Sequence, residues 1–133
     1  MALLTREQID QADDTVYEDV PVPEWGGEVR VVGMSGTDRN AYQSSLVRFG
    51  PNGKPTGVNM DNRDARLLAR CIVGEDGKPL YTLKEVDVLG ARSGAVLERL
   101  AVVARRLSGI GEGAVEDAEG NSEPAPSGSS TSD

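Results

Sequence analysis

Five arginines carry the clearest charge pattern in the sequence. Arg63, Arg66 and Arg70 are spaced i, i+3 and i+7, so a helix over this stretch would align them on one face. Arg105 and Arg106 add two positive charges in the last turn of a later predicted helix. These side chains are candidates for binding an acidic partner surface or the chain's own acidic tail. The alternative is a solvated face, with the last two arginines stabilised by a helix C-terminus.

The only tryptophan is a second candidate for partner binding. Trp25 lies in VPEWGGEVRVVGMSG, residues 22–36, between a proline and two glycines and directly before a valine-rich stretch. This position would be the end of a predicted hairpin. An exposed tryptophan is a frequent interface anchor, whereas a ring folded over the valines would stabilise a small core. The sequence leaves both roles open.

Residues for catalysis are scarce. The chain contains no histidine, which removes the commonest general base and a common metal ligand. The single cysteine, Cys71, stands among Leu67, Leu68 and Ile72, so we expect a small buried hydrophobe. The stretch DNRDAR lacks the glycine and the final glutamate of a calcium loop. The sequence therefore predicts no catalytic, cofactor-binding or metal-binding residues, and we expect a protein that is not an enzyme.

The N-terminal part of the chain predicts a short helix followed by a β-hairpin. Thr5 and Gln8 have the spacing of a capping box for a helix that would end near Ala12. A valine-rich strand over residues 16–22 follows, and its prolines restrict it to the edge of a sheet. Two glycines, residues 26–27, make the turn into the returning strand.

The rest of the ordered chain predicts four helices and a short second hairpin. The predicted features, in order, are a helix capped by Ser35 with Tyr42, Leu46 and Phe49 on its buried face, a mobile loop over residues 50–57, a helix from Asn59 or Asp61 through Val73 with Ala65, Leu68 and Ile72 on its apolar stripe, a turn at Asp76 and Gly77 between two short strands, a helix from Thr82 to Gly90, and a helix from Ser93 to Gly109. The predicted fold class is α+β, a mostly helical small domain with an N-terminal β-hairpin and a short second hairpin.

Length and charge limit the possible functions. A chain of 133 residues supports one domain that folds without disulfides or metal. The start, MALLTREQID, has too short an apolar run for a signal peptide or a membrane span, so we expect a soluble intracellular protein. The net charge of -8 would repel nucleic-acid phosphates and anionic lipid, so we expect neither nucleic acid nor membrane as a partner.

The acidic charge is concentrated at the C-terminus. Residues 111–133 carry six of the 22 carboxylates and none of the 14 basic residues, so 16 carboxylates face 14 bases in the rest. This segment is rich in Gly, Ser, Pro and Glu and has almost no apolar residues to offset its ordering entropy. We therefore divide the chain into a domain over residues 1–110 and a disordered acidic tail over residues 111–133.

The order and spacing of several segments resemble one known family. The segments are VPEWGGEVRVVGMSGTDRNAYQSSLV, RDARLLARCIVGEDGKPLYT and EVDVLGARSGAVLERLAVVARRLSG, preceded by LLTREQIDQADD and followed by the acidic tail. Together they resemble the tail assembly chaperones of long-tailed, siphovirus-type bacteriophages, over residues 3–109. Each motif is weak alone, and their order makes the case.

The resemblance implies a non-enzymatic function. Chaperones of this family bind the tape measure protein and tail tube subunits during tail assembly in the host cytoplasm, and they are absent from the mature virion. Many also have a longer product made by ribosomal frameshifting, which only the nucleotide sequence could reveal here. The alternatives are a virion structural protein, such as a head-tail connector or tube-associated component, and a small adaptor or inhibitor of host origin.

Overall fold

The structure, a computed structural model, describes residues 2–111. Within these residues the chain forms five α-helices and two small antiparallel sheets, so the predicted α+β fold class is confirmed. The predicted acidic tail, apart from Gly111, lies outside the described residues. The elements are α1 Arg6–Gln11, β1 Tyr17–Val22, β2 Gly27–Val32, α2 Gly36–Ser45, β3 Val47–Phe49, β4 Pro55–Val58, α3 Arg63–Cys71, β5 Ile72–Val73, α4 Val86–Gly90 and α5 Gly94–Leu107, with short 3-10 helices over Pro23–Trp25 and Leu83–Glu85.

The predicted N-terminal hairpin is confirmed. β1 and β2 pair antiparallel, and the short 3-10 helix Pro23–Trp25 with a left-handed Gly26 (φ 80°) connects them. β1 lies at the edge of the three-stranded sheet β1-β2-β5, as its prolines predict. On the face turned away from the core, Asp19 accepts hydrogen bonds from Arg30, whose guanidinium stacks 4.5 Å from the centre of the Tyr17 ring.

One core joins the hairpin to the longer helices. α3 and α5 pack against each other, and both contact the hairpin. From α2, Tyr42 and Leu46 add two of the most buried side chains. The largest fully buried side chains are Tyr42, Leu46, Leu67, Leu68, Leu89, Leu100, Val22, Val31, Val96 and Cys71. Since each buried large aliphatic side chain stabilises the fold by about 1.5–3 kcal/mol, this cluster supplies most of the stability.

The end of β2 touches the end of α5 backbone to backbone. A Cβ atom built on Gly33 would lie 2.5 Å from the carbonyl oxygen of Leu107. Directly after it, the Met34 amide donates to the Ser108 hydroxyl at 3.0 Å. Only glycine permits this approach, and the contact joins residues about 74 positions apart.

α1 is well formed and yet buries none of its residues. The predicted capping box is present: the Gln8 amide donates to the Thr5 hydroxyl at 3.2 Å, and the Thr5 amide donates to the Gln8 side chain at 2.9 Å. Its apolar neighbours Leu4 and Ile9 stand at the positions of a hydrophobic staple. Both remain largely exposed to solvent.

Two predictions in the middle of the chain are wrong. The second helix ends at Ser45, and Phe49 lies on β3 with 57% of its surface exposed, so it is not on a buried helical face. Part of the predicted loop over residues 50–57 forms β4, which pairs with β3. Val47 is β-branched and favours a strand, and a tight turn in which the Gly50 amide donates to the Lys54 carbonyl closes the hairpin.

α3 is shorter than predicted at both ends. It begins at Arg63 after Asn62, which adopts a left-handed conformation (φ 50°), and it ends at Cys71. Ile72 and Val73 are buried as expected but leave the helix to form β5 beside β2. β-branched residues in sequence favour this change of backbone conformation.

The remaining features agree with the sequence. Beyond β5, the Leu80 amide donates to the Ile72 carbonyl around the predicted turn at Asp76 and Gly77, giving the short second hairpin. Thr82 and Glu85 form the predicted capping box, although the first turn is a 3-10 helix before α4. Ser93 caps α5, and Gly109 (φ 74°) follows its end.

Candidate partner-binding surface

Arg66, predicted to belong to a basic face, holds the backbone in place. Its Nε donates to the Asp61 carbonyl at 2.9 Å and its Nη2 to the Asn59 carbonyl at 2.6 Å. Its Nη1 donates to the carbonyl and the hydroxyl of Ser45. Burial lowers the pKa of the guanidinium. This side chain therefore joins the end of α2 to the residues that lead into α3.

Arg63 and Arg105 are brought together by Asp64. Arg63 donates to the Asp64 carboxylate at 3.2 Å, and Nη1 of Arg105 lies 3.6 Å from the same oxygen. Arg105 comes from α5, and only 11% of its side chain is exposed. The ion pair thus links α3 to α5 at the edge of the core. Arg70 donates instead to the Arg66 carbonyl at 2.9 Å.

Two ion pairs fasten the N-terminal hairpin to α5. Arg106 donates to Glu18 on β1 at 2.7 Å. Two turns earlier on the same face of α5, Arg99 makes two hydrogen bonds to Glu24 at the end of the hairpin, at 2.8 and 3.2 Å. These bonds from Arg99 lower the pKa of the Glu24 carboxyl. Because all four side chains are partly exposed, each pair contributes modestly to stability and is screened by salt.

Trp25 lies beside Glu24 at the hairpin's end, as the sequence predicts. Its side chain is 39% exposed, which places it between a core residue and a free surface residue. Trp25 is thus close in the chain to the Arg99 ion pair and remote in sequence from the α3 arginines.

The predicted contact residues have different partners within the fold. The structure groups Arg63 with Arg105, engages Arg66 and Arg70 with backbone carbonyls, and turns Arg106 toward the hairpin. Spacing on a helix identifies a shared face, but it does not reveal which donors the rest of the fold will use.

The structure instead exposes many large apolar side chains, which the charge pattern did not identify. They are Leu3, Leu4, Ile9, Val16, Tyr17, Trp25, Phe49, Met60, Leu80, Leu83, Val88 and Val102. The most exposed is Leu3 at 96%, and it precedes a helix that buries nothing. The staple spacing of Leu4 and Ile9 around Thr5 marks the start of α1 in the sequence, but it does not indicate that these side chains are exposed.

The side chains that could react or bind a metal ion show no arrangement for catalysis in the described residues. Burial raises the pKa of the Cys71 thiol to about 12, in agreement with its predicted role as a buried hydrophobe. In the part of the chain that the structure describes, no group of three or more His, Cys, Asp and Glu side chains is arranged to hold a metal ion. None of the helices between residues 2 and 111 is long and apolar enough to span a membrane.

Comparison with known proteins identifies the family. The sequence model of the phage tail assembly chaperones matches residues 5–121, which is most of the chain. The chain belongs to the phage tail assembly chaperone family. The structure of the tail assembly chaperone of bacteriophage HK97 has a similar fold, with a TM-score of 0.54 and 21% sequence identity over 80% of this chain and 95% of that chain. No curated protein matches the chain in sequence.

The extent of the family match is informative. The match to the phage tail assembly chaperone family begins at Thr5. This residue caps α1, the helix that buries none of its residues. It continues beyond Gly111, the last described residue, for ten further residues. The family relationship predicted from the sequence is therefore confirmed, and the match includes every helix and strand of the described structure.

Proposed function

We propose that this protein binds the tape measure protein, and in turn tail tube subunits, during tail assembly in the host cytoplasm. It acts without catalysis and leaves before the virion is complete. Family membership supports the general function of a tail assembly chaperone. The choice of an apolar helical partner is supported by the surface of this chain.

The exposed N-terminal segment carries the proposal. Leu3, Leu4 and Ile9 are 96%, 68% and 59% exposed, and α1 is held in shape by its own capping box. A short preformed helix with apolar side chains loses little conformational entropy when it docks on a partner. Leu3 and Leu4 precede α1 and Ile9 lies on it, so all three apolar side chains are available at one end of the helix to a partner.

Acidic residues around these anchors fit the same function. Glu7, Asp10, Asp13 and Asp14 follow one another along the segment, and Arg6, the basic residue among them, lies 3.5 Å from Asp10. The carboxylates keep the apolar side chains soluble before binding. They also favour a partner segment in which basic residues flank the apolar ones.

Co-expression with the tape measure protein tests the proposal. The full chain should capture the tape measure protein in a pull-down, and the triple variant Leu3→Ser, Leu4→Ser, Ile9→Ser should lose that capture. The triple variant Leu80→Ser, Leu83→Ser, Val88→Ser is the matched control, because these large apolar side chains are also more than half exposed (59%, 56% and 60%). Full capture by the N-terminal variant would contradict the proposed surface.

Purified phage particles distinguish the alternative function. A virion structural protein, such as a head-tail connector or tube-associated component, would be present in particles in a fixed ratio to other tail proteins. The proposed chaperone should be abundant in infected cells and absent from the particles. Quantitative mass spectrometry of both samples provides the comparison.

Trp25 and the arginines remain proposed contact residues, with different accessibility. Trp25 and Arg106 have exposed surface for a partner, whereas Arg66 supports the fold through backbone carbonyls. Trp25→Ala separates the two roles of the tryptophan. Lost capture with unchanged stability indicates a contact residue, and lost stability indicates a core residue. Capture at two salt concentrations tests the contribution of the arginines.

A further inference from the structure

The end of α5 directs the chain into a cleft. The Ile110 amide donates to the Arg105 carbonyl at 2.8 Å and the Gly109 amide to the Arg106 carbonyl at 3.2 Å, which is a Schellman motif with Gly109 in the left-handed conformation. This motif satisfies the last helix carbonyls and fixes the direction of the chain. Gly111, the last described residue, is part of the wall of the cleft.

The cleft combines apolar and positive surface. It has a volume of about 320 Å³ and is lined by Val102, Arg105, Arg106, Ile110 and Gly111. Val102 is 41% exposed although it is aliphatic, and Arg106 keeps 58% of its side chain exposed while it binds Glu18. The surface therefore fits a ligand that has both carboxylates and a small aliphatic side chain.

Arg105, which lines the cleft, has one guanidinium donor without an acceptor in the part of the chain that the structure describes. The Nε of Arg105 is buried and makes no hydrogen bond there. The nearest carboxylate, Asp64, is 3.6 Å from Nη1 of the same guanidinium. With one donor unpaired, the Arg105 guanidinium has unused hydrogen-bonding capacity, and 11% of its side chain reaches the surface.

The segment that follows Gly111 has the matching chemistry. Residues 112–121 contain four carboxylates, no basic residue and one large apolar residue, Val115. The family match includes all ten of these residues. Since the segment begins at the cleft itself, its effective concentration there is high, and weak contacts suffice to populate a bound state.

We propose that residues 112–121 are an intramolecular ligand of this cleft, with carboxylates on Arg105 and Arg106 and Val115 against Val102. The segment thereby covers exposed apolar surface at the C-terminal end of α5. An external acidic partner at this position must displace it. This inference is independent of the proposed tape-measure binding.

A spin label on the full chain tests the proposal. Ala118→Cys provides the attachment point, and the buried Cys71 thiol, whose pKa is about 12, stays unlabelled under mild conditions. Paramagnetic relaxation enhancement is then measured at the methyl groups of Val102 and Ile110. A tether alone produces some enhancement, so the comparison must be made with a neutral segment of equal length.

The neutral variant carries Glu112→Gln, Glu116→Gln, Asp117→Asn and Glu119→Gln. Because exposed ion pairs are individually weak and screened by salt, we expect its enhancement at Val102 to fall about twofold, and 0.5 M salt to have about the same effect on the unmodified segment. The control Glu123→Gln, Asp133→Asn lies beyond the family match and should change nothing. Equal enhancement in the charged and neutral segments at low salt would overturn the proposal.

A second variant tests the apolar half of the site. Val102→Ser removes the aliphatic surface of the cleft at a partly exposed position, so the fold should tolerate it. With the label at residue 118, enhancement at Ile110 should decrease in this variant. An unchanged value would exclude the proposed contact with Val115.

Discussion

α1 and α5 both begin with a side-chain N-cap, the more complete one on α1, and have opposite relations to the core. Thr5 caps α1 with a complete capping box, and Ser93 caps α5 by accepting from the Val96 amide. α1 buries no residue, whereas α5 buries six, including Leu100. The difference shows that capping defines where a helix begins, while burial of an apolar face determines how much it stabilises the domain.

The comparison also separates two functions of apolar residues. Those of α5 pack against the rest of the chain, and those beside α1 are exposed on the surface and are the proposed contacts for a partner. Substitutions in the two helices should therefore have very different effects on stability.

The largest effect is expected in the core of α5. Leu100 is fully buried, so Leu100→Ala should lower the free energy of unfolding by about 3 kcal/mol through lost burial and a residual cavity. Urea denaturation measures this change. Val102→Ala, on the same helix but 41% exposed, is the control and should cost much less. Similar losses for both would contradict the packing described for α5.

A smaller loss should follow from removal of the Arg66 donors. Arg66→Met keeps the aliphatic stem and leaves the carbonyls of Ser45, Asn59 and Asp61 without this donor. We expect a loss of about 2 kcal/mol, with faster amide exchange near β3 and β4. Arg70→Met removes only one such bond and serves as the control. If both variants are equally stable, the hydrogen bonds from Arg66 to these three carbonyls do not contribute to the free energy of unfolding.

Acid should loosen the end of the hairpin before the core unfolds. Arg99 lowers the pKa of the Glu24 carboxyl, so the ion pair stabilises the fold above the ordinary carboxyl pKa and is lost as pH falls through the lowered value. Trp25 fluorescence should therefore change only at a pH below the ordinary pKa of a glutamate carboxyl, and ahead of global unfolding. The change should be absent in Glu24→Gln and present in the control Glu28→Gln.

The smallest effect is expected at the N-terminus. The combined change Leu3→Ser, Leu4→Ser, Ile9→Ser should alter the free energy of unfolding by no more than about 0.5 kcal/mol, because these residues are exposed. Thermal or urea denaturation of the free protein measures it. A larger loss would mean that α1 packs on the domain and would remove the contrast with α5.

Local signals in the sequence predicted much of the fold. The starts of four helices were predicted from the N-cap residues Thr5, Ser35, Thr82 and Ser93. An N-cap side chain accepts a hydrogen bond from an amide no more than three residues away, so the signal is local in the sequence. The valine alternation and the glycine turn predicted the first hairpin for the same local reason. The prediction that Phe49 lies on the buried face of α2 was wrong, because its helical spacing continues past the true end of that helix. There, pairing of β3 with β4 determines the backbone conformation.

The candidate surface was harder to predict than the fold. The spacing of Arg66 placed it on a face with other arginines, but its acceptors are carbonyls of residues 45, 59 and 61, whose position depends on the tertiary fold. The exposure of Leu3 and Ile9 could not be inferred either, because nothing in a single helix specifies whether its apolar side will find a partner within the chain.

The contact of Gly33 with Leu107 affects how this protein is made. It requires the first hairpin and the last turn of α5 to meet, so the hairpin emerges from the ribosome long before the surface that covers it exists. Folding dominated by such distant contacts is slow and leaves apolar valines exposed in the meantime. Completion of the domain therefore requires the whole of α5 to have been synthesised.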